Sequence, residues 1–197
     1  MIDPAWDAIH TARPWGRWPN TRFVEWVMHT YGGVDDRRAV RFLDLGCGAG
    51  AQLRFLEEED FKYVGVDGSE AALSRARKAG YGPVWQADLT DFEIEEDWGK
   101  FDCVMDICTL QHLGANDMVE VVRRARRWLK PGGYFFMIHA ASGSDVDYND
   151  VPPPCTPLSI RSIKPLFAGY KGRVAMEEVL GMDDQFRRHY IIEARLI

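Results

Sequence analysis

The chain of 197 residues lacks any Cys-x-x-Cys spacing; Cys47, Cys103, Cys108 and Cys155 stand singly. That argues against a structural zinc site or a dithiol redox centre. Cys103 and Cys108 fall in or beside an apolar strand pattern, where a free thiol behaves as a small hydrophobe. No apolar run reaches the roughly 18 residues a bilayer-spanning helix needs. The opening "MIDPAWDAIH" has neither the basic start nor the apolar centre of a secretory signal. A reduced, cytoplasmic protein with no membrane partner is the expectation. Basic residues are also in deficit, 24 against 30 acidic, for a net charge of −6. An acidic chain has no general attraction for nucleic acid or anionic lipid, so either partner would need a local basic patch. Internal repeats and low-complexity tracts are absent as well, which sets solenoids and disordered tails aside.

Hydrophobic residues make up 46% and charged residues 27%, the composition of one globular domain of α/β size. From Val40 onward, short apolar runs alternate with helical patterns. Strands are expected at "VRFLDL", "KYVGVD", "PVWQADL", "FDCVMDIC" and "YFFMIHA". Helices are expected through "AGAQLRFLEEE", "SEAALSRARKAG" (capped by Ser69) and "DMVEVVRRARRWLK", the last stopped by Pro-Gly-Gly. This alternation predicts βαβ units and a mainly parallel sheet with helices on both faces. Residues 141–157 are polar, acidic and proline-rich, and predict a long loop suited to a lid. A helix at "LSIRSIKPLF", stopped or kinked at Pro165, should follow. "GRVAMEEVL" and "HYIIEARLI" then predict two closing strands about a tight turn, hence antiparallel. Residues 1–39 read as a helical cap segment with a helix from Asn20 to Gly32 or Gly33, and residues 40–197 as the main domain.

The chemistry concentrates at "VRFLDLGCGAGAQLRFL", a strand that runs through three glycines into a helix. Glycines there let backbone N–H groups approach a ligand, and the helix presents its positive end. Gly46, Gly48 and Ala51 satisfy the dinucleotide fingerprint, so a nicotinamide cofactor and S-adenosylmethionine both fit the turn alone. The surroundings separate them. Asp44, two residues before Gly46, would repel a pyrophosphate but attract an ammonium or sulfonium. Asp67 ends the second strand, where a carboxylate can accept from ribose hydroxyls. Asp88 follows the third strand, placed for an adenine amine.

The ordered set "LDLGCGAG … VGVD … QADL … FDCVMDICTLQHL … LKPGGYFFMIH" resembles the class I S-adenosylmethionine-dependent methyltransferases over roughly Val40 to Ala140. The resemblance implies a Rossmann-like, seven-stranded, mostly parallel sheet whose last strand is antiparallel, matching the C-terminal hairpin read from the residues. It implies that Gly46, Gly48 and Gly50 surround the methionine moiety, with Cys47, Gly68 and Ser69 also among the cofactor-binding residues. Asp67 would hold the ribose; Asp88 and Leu89 would frame the adenine. Asp106 and Ile107 would approach the methionine amino group and sulfonium. S-adenosylhomocysteine would be the product.

The acceptor is not named by any motif. A hydroxyl acceptor needs a base, and His112 in "LQHL" and His139 at the end of the fifth strand are the candidates, since an unperturbed imidazole, with a pKa near 6.5, can take a proton at neutral pH. Catechol-type relatives hold magnesium with acidic and amide oxygens, whereas "IHAASG" follows strand five here, so no metal is expected. The segment "RPWGRWPN" offers Arg13 or Arg17 to an anionic group and Trp15 or Trp18 to a cation or ring. Arg123, Arg124, Arg126 and Arg127 form a basic stripe, read as a solvated face at a helix C-terminus rather than a phosphate-binding footprint. The expectation is a methyltransferase acting on a small molecule, at oxygen. A nucleic-acid or protein acceptor, a non-catalytic module binding the same cofactor and a nicotinamide-dependent oxidoreductase are the alternatives. Oligomeric state stays open.

Overall fold

The computed structural model describes residues 4–12, 17–94, 98–142, 155–180 and 186–197. Seven strands form one sheet: β1 (Arg41–Leu45), β2 (Lys62–Asp67), β3 (Val84–Gln86), β4 (Phe101–Ile107), β5 (Leu129–Ala140), β6 (Tyr170–Leu180) and β7 (Phe186–Leu196). Their order is β3-β2-β1-β4-β5-β7-β6. Pairings from β3 through β5 are parallel, while β7 runs antiparallel to both β5 and β6. The strand order reverses between β1 and β4, and the carboxyl edge there is where such sheets bind ligands.

Helices cover both faces: α2 (Thr21–Tyr31), α3 (Ala51–Glu58) and α4 (Glu70–Lys78) on one, α5 (Ala115–Trp128) and α6 (Ile160–Leu166) on the other. Strand residues alternate between the layers, as a period of two requires. Phe42, Phe136 and Ile138 join the α2 side; Leu43, Phe135 and Met137 join the α5 side. Asn20 caps α2 by accepting from the N–H groups of Arg22 and Phe23. That helix then buries Phe23, Trp26 and Val27, with Phe23 edge-on to Phe42 and close to Phe136.

Three local expectations change. β3 is three residues long, because beyond Gln86 the chain turns through Asp88, whose Oδ1 accepts from Thr90 N–H and Thr90 Oγ. Pro-Gly-Gly does not separate α5 from a strand beginning at Tyr134; β5 already starts at Leu129 and carries the three residues as a bulge. Phe101 pairs with Leu129 but Cys103 with Tyr134. Finally, α1 (Ala5–Ala12) is a helix that the sequence reading did not delimit. The expected lid falls mostly on residues 143–154, which lie outside the described residues, as do Arg13, Trp15 and Tyr148.

Candidate active site

A cavity of about 670 Å³ opens at the carboxyl edge between β1 and β4, within the range of small-molecule sites. Its floor is the turn after β1. Gly46 adopts φ +78, and a Cβ there would come within 2.0 Å of Thr109 Oγ1, so only glycine lets the turn pass beneath the β4 loop. Gly48, at φ +55, is bare on its open side: the nearest atom to an added Cβ is His10 Cε1 at 3.8 Å. Asp67 fastens this floor. Its Oδ2 accepts from Gly48 N–H and its Oδ1 from Ser69 N–H, both at 2.8 Å. Burial raises its pKa, against the pull of those two N–H groups.

One wall is the chain after β3, where Ala87, Asp88, Leu89 and Thr90 line the cavity. Arg124 holds it in place. That guanidinium is buried and donates to the carbonyls of Leu89, Thr90 and Phe92 at 2.7–2.9 Å. The expected basic stripe is therefore corrected at Arg124, which is a structural brace rather than a solvated charge. Arg123 and Arg127 pair with Glu120 and Glu93, and Arg126 donates to Ala168 O.

The opposite wall follows β4. Asp106 Oδ1 accepts from Thr109 N–H and Leu110 N–H, at 2.9 and 3.0 Å, and so fixes the 3-10 turn Leu110–His112. Burial pushes its pKa up to about 7, offset in part by those two donors. His112 lines the cavity with Trp6 edge-on to its ring at 4.8 Å. Gln111 sets the ring's chemistry. Ala140 N–H donates to Gln111 Oε1 at 2.9 Å, which turns Gln111 Nε2 toward His112 Nε2 at 3.3 Å. An amide N–H₂ only donates, so His112 Nε2 carries the lone pair and Nδ1 the proton.

Helix α1 supplies the cover. Asp7 accepts from Ser69 Oγ at 2.6 Å and Ala71 N–H at 3.1 Å, anchoring the helix to the start of α4. These donors lower its pKa. Trp6 and His10, one turn apart, then both line the cavity. Burial lowers the His10 pKa, with nearby Asp67 opposing.

Of the residues anticipated from sequence, Gly46, Cys47, Gly48, Asp67, Gly68, Asp88, Leu89, Ile107 and His112 line this one cavity. The others stand elsewhere. Asp44 and Asp106 are buried behind the wall, each with an unpartnered Oδ2. Gly50 is the α3 N-cap against the Tyr81 ring, and Ser69 caps α4. His139 is fully buried in β5, and both its ring nitrogens lack hydrogen-bond partners. Burial, then His189 and His112, pull its pKa down to about 3. Arg17 stacks on Trp18, which lines the rim beneath Arg54 as well. Unanticipated lining includes Trp6, His10, Asn20, Gln52, Gln111 and Asp117. Trp6 and His10 carried a usable signal: four apart, just after Pro4, they share one helix face.

Comparison with known proteins agrees with this geometry. A family model described as a methyltransferase domain matches residues 43–135. A ubiquinone biosynthesis O-methyltransferase of Pseudomonas aeruginosa is 30% identical over 111 residues, 53% of this chain and 47% of that protein. A putative methyltransferase of Bacillus subtilis is 30% identical over 141 residues, covering 69% and 53%. The chain thus spans about half the length of the curated relatives it matches. Among solved structures, magnesium protoporphyrin IX methyltransferase of Synechocystis with bound S-adenosylmethionine superposes with TM-score 0.68. Identity is 16%, over 90% of this chain and 77% of the other.

The residues present fit that cofactor. Gly48 leaves bare backbone at the cavity floor, and the carboxylates of Asp67 and Asp88 line the same cavity, acceptors of the kind ribose hydroxyls and an adenine amine would need. The carboxyls of Asp44 and Asp106 lie buried behind the wall, each with an Oδ2 that has no hydrogen-bond partner among the described residues. Sheet order, glycine turn and family match converge: residues 43–135 form a methyltransferase domain, with the fold of the class I S-adenosylmethionine-dependent methyltransferases.

Proposed function

We propose that the protein transfers a methyl group to the oxygen of a small molecule. The carrying observation is that one cavity joins the glycine turn and Asp67 to an end lined by Trp6, His112, Leu113 and Asp117. Donor and acceptor can therefore meet in a single enclosed opening. When bound, S-adenosylmethionine supplies a methyl group already activated by positive sulfur. The chain's own task is to hold the acceptor in line and take its proton, so positioning carries much of the rate.

His112 is the proposed catalytic residue. Its Nε2 lone pair rests on the Gln111 amide at 3.3 Å, the long end of a hydrogen bond. An acceptor hydroxyl approaching more closely replaces that amide and donates to the same lone pair. Gln111 is then a positioning residue that keeps the lone pair at Nε2 until the acceptor arrives. His139, buried away from the cavity lining, is not assigned a part. Residues 1–39 are proposed as the cap of a domain over 40–197, with α1 closing the cleft. Oxygen as the acceptor atom draws support from the O-methyltransferase names among the relatives. Ala141 and Ser142, directly after β5, carry neither a carboxylate nor an amide side chain, and the proposed reaction uses no metal. With Cys47, Cys103, Cys108 and Cys155 all free, a reducing cytoplasmic setting is proposed; no helix among the described residues is long and apolar enough to cross a membrane.

Calorimetric titration with S-adenosylhomocysteine tests the cofactor end, with NADH and an Asp67→Ala variant alongside. Micromolar binding lost in the variant, with silence toward NADH, is expected; NADH binding would overturn the reading. Product formation with a panel of phenols, alcohols and amines then tests the acceptor. Methylation of amines alone would refute the oxygen assignment.

A further inference from the structure

The sheet ends in an unguarded edge. β6 pairs with β7 in an unbroken register over eleven residues, from Tyr170–Leu196 to Leu180–Phe186, and among the described residues no strand pairs with its other side. It carries no proline and no bulge within Tyr170–Leu180, two of the devices that keep such an edge from pairing, and its charges, another such device, are of both signs. Val174 and Met176 are 38% and 54% exposed on one face. On the other face stand Arg173, Ala175 and Glu177, toward α2, whose Arg22 bonds Glu177 at 2.9 Å.

We propose that β6 is a homodimer interface, pairing antiparallel with β6 of a second copy about a two-fold axis through Ala175. The occupant is identified by charge. Charges of one sign would guard the edge against a copy of itself. Here the signs divide along the strand, Lys171 and Arg173 before Ala175, Glu177 and Glu178 after it. Reversing one strand against the other sets positive opposite negative.

Register follows from symmetry. A two-fold normal to the sheet keeps each face on its own side, so residues can oppose only partners of the same alternation. The axis must therefore pass through a residue. Through Ala175, Arg173 opposes Glu177 of the second copy, Val174 opposes Met176, and the smallest side chain sits on the axis. Through Val174, Arg173 would face Ala175; through Met176, Val174 would face Glu178. The Val174 register also sets Lys171 opposite Glu177 but leaves Arg173 unmatched; the Ala175 register alone pairs Arg173 with Glu177 and Val174 with Met176, the cross-strand pairs that stabilise antiparallel strands. The result is a continuous fourteen-stranded sheet, from two of seven. Both cavities, at β1 and β4, lie well inside it and stay open.

Sedimentation equilibrium on the full chain tests this, with no cofactor present, so the outcome does not depend on methyl transfer. A monomer–dimer equilibrium is expected. Arg173→Glu and Glu177→Arg each set like charges opposite one another twice per dimer, and each should weaken self-association about tenfold or more. Mixing the two variants restores both unlike pairs and should restore a heterodimer, which damage to either fold cannot do. A wild-type chain monomeric at all concentrations would overturn the proposal. So would a dimer indifferent to the reversals, or variants that fail to associate on mixing.

Discussion

Asp106 should make this protein less stable as pH rises, and Asp106→Asn should remove that dependence. The folded carboxyl, fully buried, titrates at about 7, whereas in an unfolded chain it titrates near 3.9. A raised acid has its stability fully present below the unfolded pKa. The unfolded state alone ionises above roughly pH 4, and stability falls until the folded group ionises near pH 7. At about 1.4 kcal/mol per unit, the loss is about 1.5 kcal/mol at pH 5 and about 4 kcal/mol at pH 8. Asparagine keeps the Oδ1 acceptor for Thr109 and Leu110 N–H and cannot ionise. Asp44, itself pushed up by burial and then by Asp106, is relieved in the same direction. The variant should therefore gain about 2.5 kcal/mol over wild type between pH 5 and pH 8. Urea unfolding at both pH values, with unchanged slope, reads this as a shift in midpoint. Parallel stability profiles for the two proteins would refute the reasoning. If the unpartnered Oδ2 serves the cofactor's positive charge, the stabilised variant should also bind S-adenosylhomocysteine more weakly.

Other consequences are equally direct. Gly46→Ala combines a left-handed backbone with a Cβ 2.0 Å from Thr109 Oγ1, and should cost about 2–5 kcal/mol of stability. Thr109→Gly in the same chain should recover the steric share, seen as coupling in a double-mutant cycle by urea unfolding. Gln111→Glu replaces the donor facing His112 with an acceptor, so the ring proton should move from Nδ1 to Nε2. Nitrogen NMR of the apo protein reports that tautomer directly; an unchanged spectrum would remove Gln111 from its positioning role, and methyl transfer should fall with the switch. Trp6→Ala removes the edge contact on His112 and should raise acceptor KM more than it alters unfolding, as steady-state kinetics beside a thermal melt would show.

What was legible in the sequence and what was not divides by the range of the interactions. Gly46, Asp67 and Asp88 could be read because each follows a strand at a fixed offset, and a parallel sheet brings strand ends to one edge by topology alone. The C-terminal hairpin was legible for a similar reason, since a tight connection leaves only antiparallel pairing. Asp44, Asp106 and His139 share that edge, yet reading them as ligand contacts failed to anticipate burial. A strand-end residue faces cavity or core according to the helix layered over it, and that layering is not local. Arg124 shows the limit most clearly. Its four-arginine neighbourhood reads as a solvated stripe, but α5 turns this one side chain inward to the carbonyls left unpaired where β3 stops after three residues. The brace exists because the strand is short, and the strand is short because Asp88 turns the chain toward the cavity. A charge that looked like surface is thus part of how the site keeps its wall.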